Sequence, residues 1–229
     1  MNSSFKLFAN RRFLTKLTRT GKISPVHAYV CLNNADRSQE LPLEYIKHIG
    51  TILFRLKCQA VTLIGGDPLQ HPYINEIVKT FDYNTIKVGI ITEGTHLHHL
   101  MNHVPVCWVE VTGKKIHAMA VKGLIDKDYL KKQMHRPICS KWFHHNVPIS
   151  DFTDGAKHCW SSLLKPVIGT DGRVYPCLEC CDVSMGDDLL KIYAKQKPFN
   201  GSKCEQCYNS ELNKMLDAFV NKPERMEWL

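Results

Sequence analysis

Between residues 26 and 111, short β-rich runs alternate with stretches whose apolar residues recur at helical spacing. This alternation constrains the fold more than any other feature of the chain. Strands are expected at 26–32, 60–64, 86–92 and 106–111. After Pro42, which suits a first-turn position, Leu43, Ile46, Ile49, Ile52, Leu53 and Leu56 repeat with the period of a helix. Ile74, Ile77, Val78 and Phe81 mark a second helix. Strand, helix, strand repeated in this way implies parallel pairing and right-handed crossovers. A complete barrel of eight such units needs about 250 residues. The chain has 229, and only about 150 of them precede a cluster of cysteines. The expected architecture is therefore α/β, a partial and open parallel barrel over 23–150, followed by a small turn-rich domain over 151–229.

Composition removes several classes. Hydrophobic residues make up 44% and charged residues 23%, ordinary globular values that allow a core without disulfide staples. No apolar run approaches the roughly 18 to 20 residues of a membrane span, and the N-terminus lacks the apolar stretch of a secretory signal. A cytoplasmic protein with no membrane contact is expected. The net charge of +8 is uneven: Lys6, Arg11, Arg12, Lys16, Arg19 and Lys22 fall in residues 1–22, which contain no acid, and the remainder carries only +2. This arm reads as a first helix with Phe5, Phe8, Phe13, Leu14 and Leu17 packed inward. Its charge also suits nucleic acid or an acidic partner, and its composition resembles an organelle transit peptide.

From about residue 150 the texture changes. Gly155, Gly169-Thr170-Asp171-Gly172, Pro176, Pro198 and Gly201 punctuate short segments, with a hairpin expected at Asp171-Gly172 and a last helix over 211–220 capped by Ser210. Six of the ten cysteines crowd here: Cys159, Cys177, Cys180, Cys181, Cys204 and Cys207. Cys31, Cys58, Cys107 and Cys139 are scattered and read as core thiols. Such crowding indicates a metal centre in a reducing compartment. Two ligand sets compete. Cys177-x2-Cys180 with Cys204-x2-Cys207 has the paired-thiolate spacing of a zinc ribbon. Cys159, Cys177, Cys204 and Cys207 would instead hold an iron–sulfur cluster. Spacing alone does not choose between them.

A resemblance does. Cys159, twelve residues, Gly172, four residues, Cys177 resembles the opening of the SPASM/twitch auxiliary domains of radical S-adenosylmethionine (SAM) enzymes. The run Gly172-Arg173-Val174-Tyr175-Pro176-Cys177 is similar to their hairpin, Met185-Gly186-Asp187-Asp188-Leu189 to their next turn, and Cys204-x2-Cys207 to their closing pair. With no cysteine after Cys207, the shorter twitch form with a single [4Fe-4S] cluster is implied, its ligands Cys159, Cys177, Cys204 and Cys207. Cys180 and Cys181 are then unassigned. Nearer the N-terminus, Gly65-Gly66-Asp67-Pro68 is similar to the Gly-Gly-Glu-Pro loop that holds the methionine end of SAM in that family. Paired glycines permit a close backbone approach at the carboxyl end of a parallel strand. Thr92-Glu93-Gly94-Thr95 resembles the family's Thr-Asn-Gly turn. The resemblance thus implies cofactor contacts from Gly65, Gly66, Asp67, Pro68 and Thr92.

One departure changes the functional expectation. The family places Cys-x3-Cys-x2-Cys after its first strand, whereas Cys31 is followed in that register by Ala35 and Ser38. Alanine offers no ligand, and serine is a poor substitute for a thiolate. The expectation is a radical SAM-like protein that has lost SAM cleavage, keeps one auxiliary cluster and binds a peptide, nucleotide, small metabolite or partner protein. The alternatives are a working radical SAM enzyme with an unconventional or substituted cluster site, and a zinc-stabilised module binding nucleic acid through its arm. His96, His98, His99 and His103 crowd one segment without the Glu of a zinc-protease pair, and with His144-His145 they read as solvated or core histidines. There is no nucleophile elbow, Walker loop or dinucleotide fingerprint.

Overall fold

A computed structural model describes residues 20, 22–36, 38–100, 104–111, 156–178, 180, 182–204, 207 and 209–221, six of them (203, 211, 215, 218, 219 and 221) by backbone alone. The arm over 1–19, His103, Cys139, His144, His145 and Cys181 lie outside them.

Alternation produces the expected elements almost residue for residue. They are β1 (His27–Asn33), α1 (Leu43–Arg55), β2 (Ala60–Gly65), α2 (Ile74–Tyr83), β3 (Lys87–Thr92) and β4 (Val106–Val111). Pro42 precedes the first turn rather than occupying it: its backbone is extended and its carbonyl accepts from Ile46 N at 3.0 Å. All three strand pairs β1–β2, β2–β3 and β3–β4 are parallel; α1 and α2 make the first two crossovers, and the segment with the short turn Leu97–His99 connects β3 to β4.

After these come α3 (Ser161–Leu164), β5 (Val167–Ile168), β6 (Val174–Tyr175), α4 (Leu189–Lys195) and α5 (Ser210–Asn221). Strands β5 and β6 form the hairpin expected at Asp171-Gly172, closed by Gly169 N donating to Arg173 O at 2.8 Å. The hairpin joins the main sheet. Strand β5 lies parallel to β1, with Tyr29 opposite Val167, so the strand order is β4-β3-β2-β1-β5-β6. Tyr45 Oη on α1 donates to the Gly172 carbonyl at 2.7 Å and fastens the turn. Helix α5 begins one residue earlier than expected, with Ser210 its first helical residue and Asn209 O accepting from Asn213 N at 2.8 Å.

The period of two along each strand sorts side chains onto two faces. Ala28, Val30 and Leu32 of β1, Val61 and Leu63 of β2, and Val88 and Ile90 of β3 face α1 and α2. Ile168, Val174, Leu189, Ile192, Leu212 and Leu216 belong to the same core, so residues 156–221 share it with the first four strands. The opposite face gathers Cys31, Ile64, Ile91, Val167, Tyr175 and Leu178, with Tyr29 and Trp108 packed against them.

Candidate functional site

Two polar constellations interrupt this apolar framework. The first lies where β1, β2 and β3 end, the edge at which open parallel sheets place ligands. Gly65 has φ +140°, and a Cβ there would stand 2.2 Å from Asn33 O. A Cβ on Gly66 would stand 2.4 Å from Asn34 O and 2.8 Å from the Ala35 Cα. The close backbone approach that the paired glycines permit is therefore made by the chain's own β1 loop. That loop is closed on itself: Asn34 N donates to Gln39 O at 3.2 Å, Gln39 N to Asn34 Oδ1 at 3.1 Å, and Asn34 Nδ2 to Ser38 Oγ at 2.9 Å. Asp36 accepts from Ser38 N at 3.0 Å, which holds its carboxyl below the usual range.

Cys31 stands within β1, two residues before the strand ends, with its side chain buried in the apolar face. Ala35 lies against Gly66, and Ser38 bonds within its loop. Cys31, Ala35 and Ser38 thus serve a strand and the loop that follows it.

Asp67 organises the remainder. It is 2% exposed. Its Oδ1 accepts from Thr92 Oγ1 at 2.6 Å and from Leu69 N at 3.3 Å, the second bond capping the short turn Pro68–Gln70. Its Oδ2 accepts from Gln70 Nε2 at 3.4 Å and pairs with His96 Nδ1 at 2.8 Å. A buried carboxylate needs such donors. Paired with Oδ2, Nδ1 is the ring nitrogen that carries the proton, which leaves Nε2 as the acceptor in the neutral imidazole. His99 is oriented in the same way, Nδ1 to Leu69 O at 2.8 Å. The structure therefore brings Asp67 and Thr92 into contact and adds His96. His96 was invisible as a partner in the sequence because a loop after β3 gives no sign of which strand end it will meet.

The second constellation involves the cysteines. Cys159 is bridged to Phe199 in antiparallel fashion, its N–H donating to Phe199 O at 2.9 Å, which brings the segment after α4 beside it. The turn Gly201–Lys203 then delivers Cys204, whose N–H donates to Gly201 O at 2.9 Å. Cys159, Cys204 and Cys207 are electrostatic neighbours. Burial pushes the Cys159 thiol up, and Cys204 adds to this; burial likewise raises Cys207, and Cys159 adds to it. Cys177 stands in its own turn, Sγ accepting from Cys180 N at 3.3 Å. As the side chains stand, no group of three or more His, Cys, Asp or Glu among the described residues is arranged to hold a metal ion.

Helix α5 grips the Cys159 segment with two residues one turn apart. Asp217 Oδ1 accepts from Trp160 Nε1 at 3.0 Å and pairs with His158 Nδ1 at 3.1 Å. Asn213 Oδ1 accepts from Ser161 N at 2.9 Å, while its Nδ2 points at Cys159 Sγ, 3.6 Å away, and at Cys207 Sγ, 3.9 Å away. Asn213 is wholly buried. A thiol sulfur is a weak acceptor, and a buried amide donor without a good partner costs about 1–3 kcal/mol. The same donor is well matched to thiolates. Neighbouring thiolates in turn repel one another unless a cation holds them. The donor set accordingly fits a thiolate-ligated metal centre. The pair that Asn213 spans includes Cys159, which the zinc-ribbon set does not contain. Its sequence signal is an asparagine next to Leu212 and in line with Leu216 on an amphipathic helix, six residues after Cys207.

No protein-family model matches the chain, and no curated protein does. Among solved structures it is similar to SuiB of Streptococcus suis bound to S-adenosylmethionine, with 10% identity over 84% of this chain and 71% of that one, at a TM-score of 0.46. A second SuiB structure gives 12% over the same shares at 0.46. SuiB bound to the precursor peptide SuiA gives 11% over 97% of this chain and 71% of that one, at 0.43. Among the described residues no helix is long and apolar enough to cross a membrane.

Proposed function

We propose that the chain is a radical SAM-like protein that has lost its SAM-cleaving cluster and retains one auxiliary [4Fe-4S] centre on Cys159, Cys177, Cys204 and Cys207. Its partner is a peptide, nucleotide or small metabolite. The observation that carries the reading is the buried Asn213 amide spanning Cys159 and Cys207, cysteines 48 positions apart in the chain. Supporting the loss of SAM cleavage, Cys31 is buried in β1, and Asp36 and Ser38 are hydrogen-bonded within the loop that follows. When bound, such a centre supplies electron transfer or structural cross-linking through four thiolates. The chain's own residues set the Asn213 amide donor beside Cys159 and Cys207.

The test is anaerobic purification with iron, sulfide and zinc analysis of the wild-type chain and of Cys159→Ser and Cys180→Ser. About four irons and four sulfides are expected in the wild type and in Cys180→Ser, with loss of both in Cys159→Ser. One zinc that persists in Cys159→Ser overturns the reading in favour of the ribbon set. About eight irons restores the active-enzyme alternative.

A further inference from the structure

Asn213 does more than fasten α5. We infer that it is a positioning residue of the thiolate centre, donating one N–H to the Cys159 sulfur and the other to the Cys207 sulfur and thereby favouring the reduced, more negative state of that centre. The inference rests on the reading of the cysteines given above.

The amide's orientation is settled by its surroundings. The Ser161 backbone N–H can only donate, so Oδ1 must face it, and the measured 2.9 Å is a full hydrogen bond. With the oxygen so fixed, Nδ2 faces the two sulfurs, and its two hydrogens match two acceptors. The Asn213 backbone is held as well, its N–H donating to Asn209 O at 2.8 Å at the start of α5. Helix α5 is clamped one turn further on, where Asp217 bonds Trp160. A rigid donor pair aimed at sulfur, away from water, acts at full strength in a medium of low dielectric. Hydrogen bonds to cluster sulfurs are among the groups that set reduction potential, because they stabilise added negative charge. Ser161 Oγ, 3.2 Å from Cys159 Sγ, touches only one of the two sulfurs. Asn213 alone bridges both in the hydrogen bonds seen among the described residues.

An anchor role and a donor role predict different results for Asn213→Asp. Aspartate keeps the shape and the oxygen that meets Ser161 N, and replaces the donor NH2 with an acceptor. The experiment measures the midpoint potential of the iron-loaded protein by redox titration followed by electron paramagnetic resonance, in the wild type and in Asn213→Asp. The expected result is a loaded cluster whose reduced-to-oxidised ratio at a given potential falls at least tenfold, a shift of about 59 mV or more to lower potential. A loaded Asn213→Asp cluster at the wild-type potential overturns the inference. Should Asn213→Asp not take up iron, Asn213→Ala, which adds no charge, is read in the same way. If neither loads iron while both metal-free chains keep the wild-type circular dichroism spectrum, Asn213 serves assembly of the centre rather than its potential, and the inference falls. If both metal-free chains lose that spectrum, Asn213 is a fold anchor and the inference falls. A wild-type chain that binds no iron fails the reading of the centre itself, before any variant is made.

Discussion

Asn33 and Asp67 hold each other by two reciprocal bonds: Asn33 Nδ2 donates to the Asp67 carbonyl at 2.8 Å, and Asp67 N donates to Asn33 Oδ1 at 3.3 Å. This pair joins the end of β1 to the loop after β2. It fixes where the Asp67 carboxylate meets Thr92 and His96. Both residues are buried, so water does not readily replace a missing partner. Asn33→Ala should therefore destabilise the protein by about 1–3 kcal/mol, the cost of leaving the buried Asp67 N–H unmatched, while the Asp67 carbonyl keeps its bond from Gln70 N at 3.0 Å. Urea unfolding measures it, and a midpoint within error of wild type would show that the pair contributes nothing.

Gly66 separates a ligand role from a fold role. A methyl group there collides with Asn34 and Ala35 backbone, which cannot give way as a flexible side-chain tip could. Gly66→Ala should destabilise the metal-free, ligand-free chain by roughly 1–3 kcal/mol, as overpacking does. Unchanged thermal unfolding of that chain would mean the close approach is not the reason for glycine.

The chain should yield no deoxyadenosine from SAM under strong reductant. The double variant Ala35→Cys, Ser38→Cys should still load about four irons rather than eight. Cys31 is 0% exposed on the apolar face of β1, so restoring the two loop cysteines does not complete a set of three. Iron and sulfide analysis with product chromatography decides the matter. A second cluster in the double variant would show that β1 can release Cys31.

Alkaline pH should weaken the fold through Cys58 and Tyr193. Burial pushes the Cys58 thiol up to about 12, and Tyr193, also buried, is raised by burial and then by Cys58. The folded state favours both neutral forms. The Cys58 contribution is therefore complete below about pH 9, where the unfolded thiol begins to ionise, and is lost as pH rises toward 12; Tyr193 acts in the same direction. For Cys58 the slope approaches 1.4 kcal/mol per pH unit inside that window. Urea midpoints at pH 7, 9, 10 and 11 should fall more steeply for the wild type than for Cys58→Ala. Parallel curves would remove Cys58 as the cause.

The α/β class, the four parallel strands, both crossover helices and the hairpin are legible in the chain because their signals are local. A period of two or 3.6 needs only neighbouring residues, and Asp171-Gly172 needs only one turn. The crowding of Cys159, Cys177, Cys204 and Cys207 is equally local and points to metal without reference to a fold. Gly65-Gly66 is legible as a close approach, but its neighbour is not. Only the structure shows that the approach is made by residues 33–35.

What tertiary structure decided is which distant groups meet. Strand β5 pairs with β1 across more than a hundred residues, since the open edge of β1 offers unpaired backbone that any extended segment of suitable length can satisfy. His96 reaches Asp67 because β2 and β3 are neighbours whose ends point the same way, and a histidine in a loop carries no mark of its partner. Asn213 reaches back 52 residues to Ser161 N and 54 to Cys159 because α5 buries Leu212 and Leu216, which turns the intervening position inward. Periodicity, turns and ligand types are written in neighbouring residues and survive without the fold. The partners of buried polar groups depend on packing, which brings together residues that no local pattern relates.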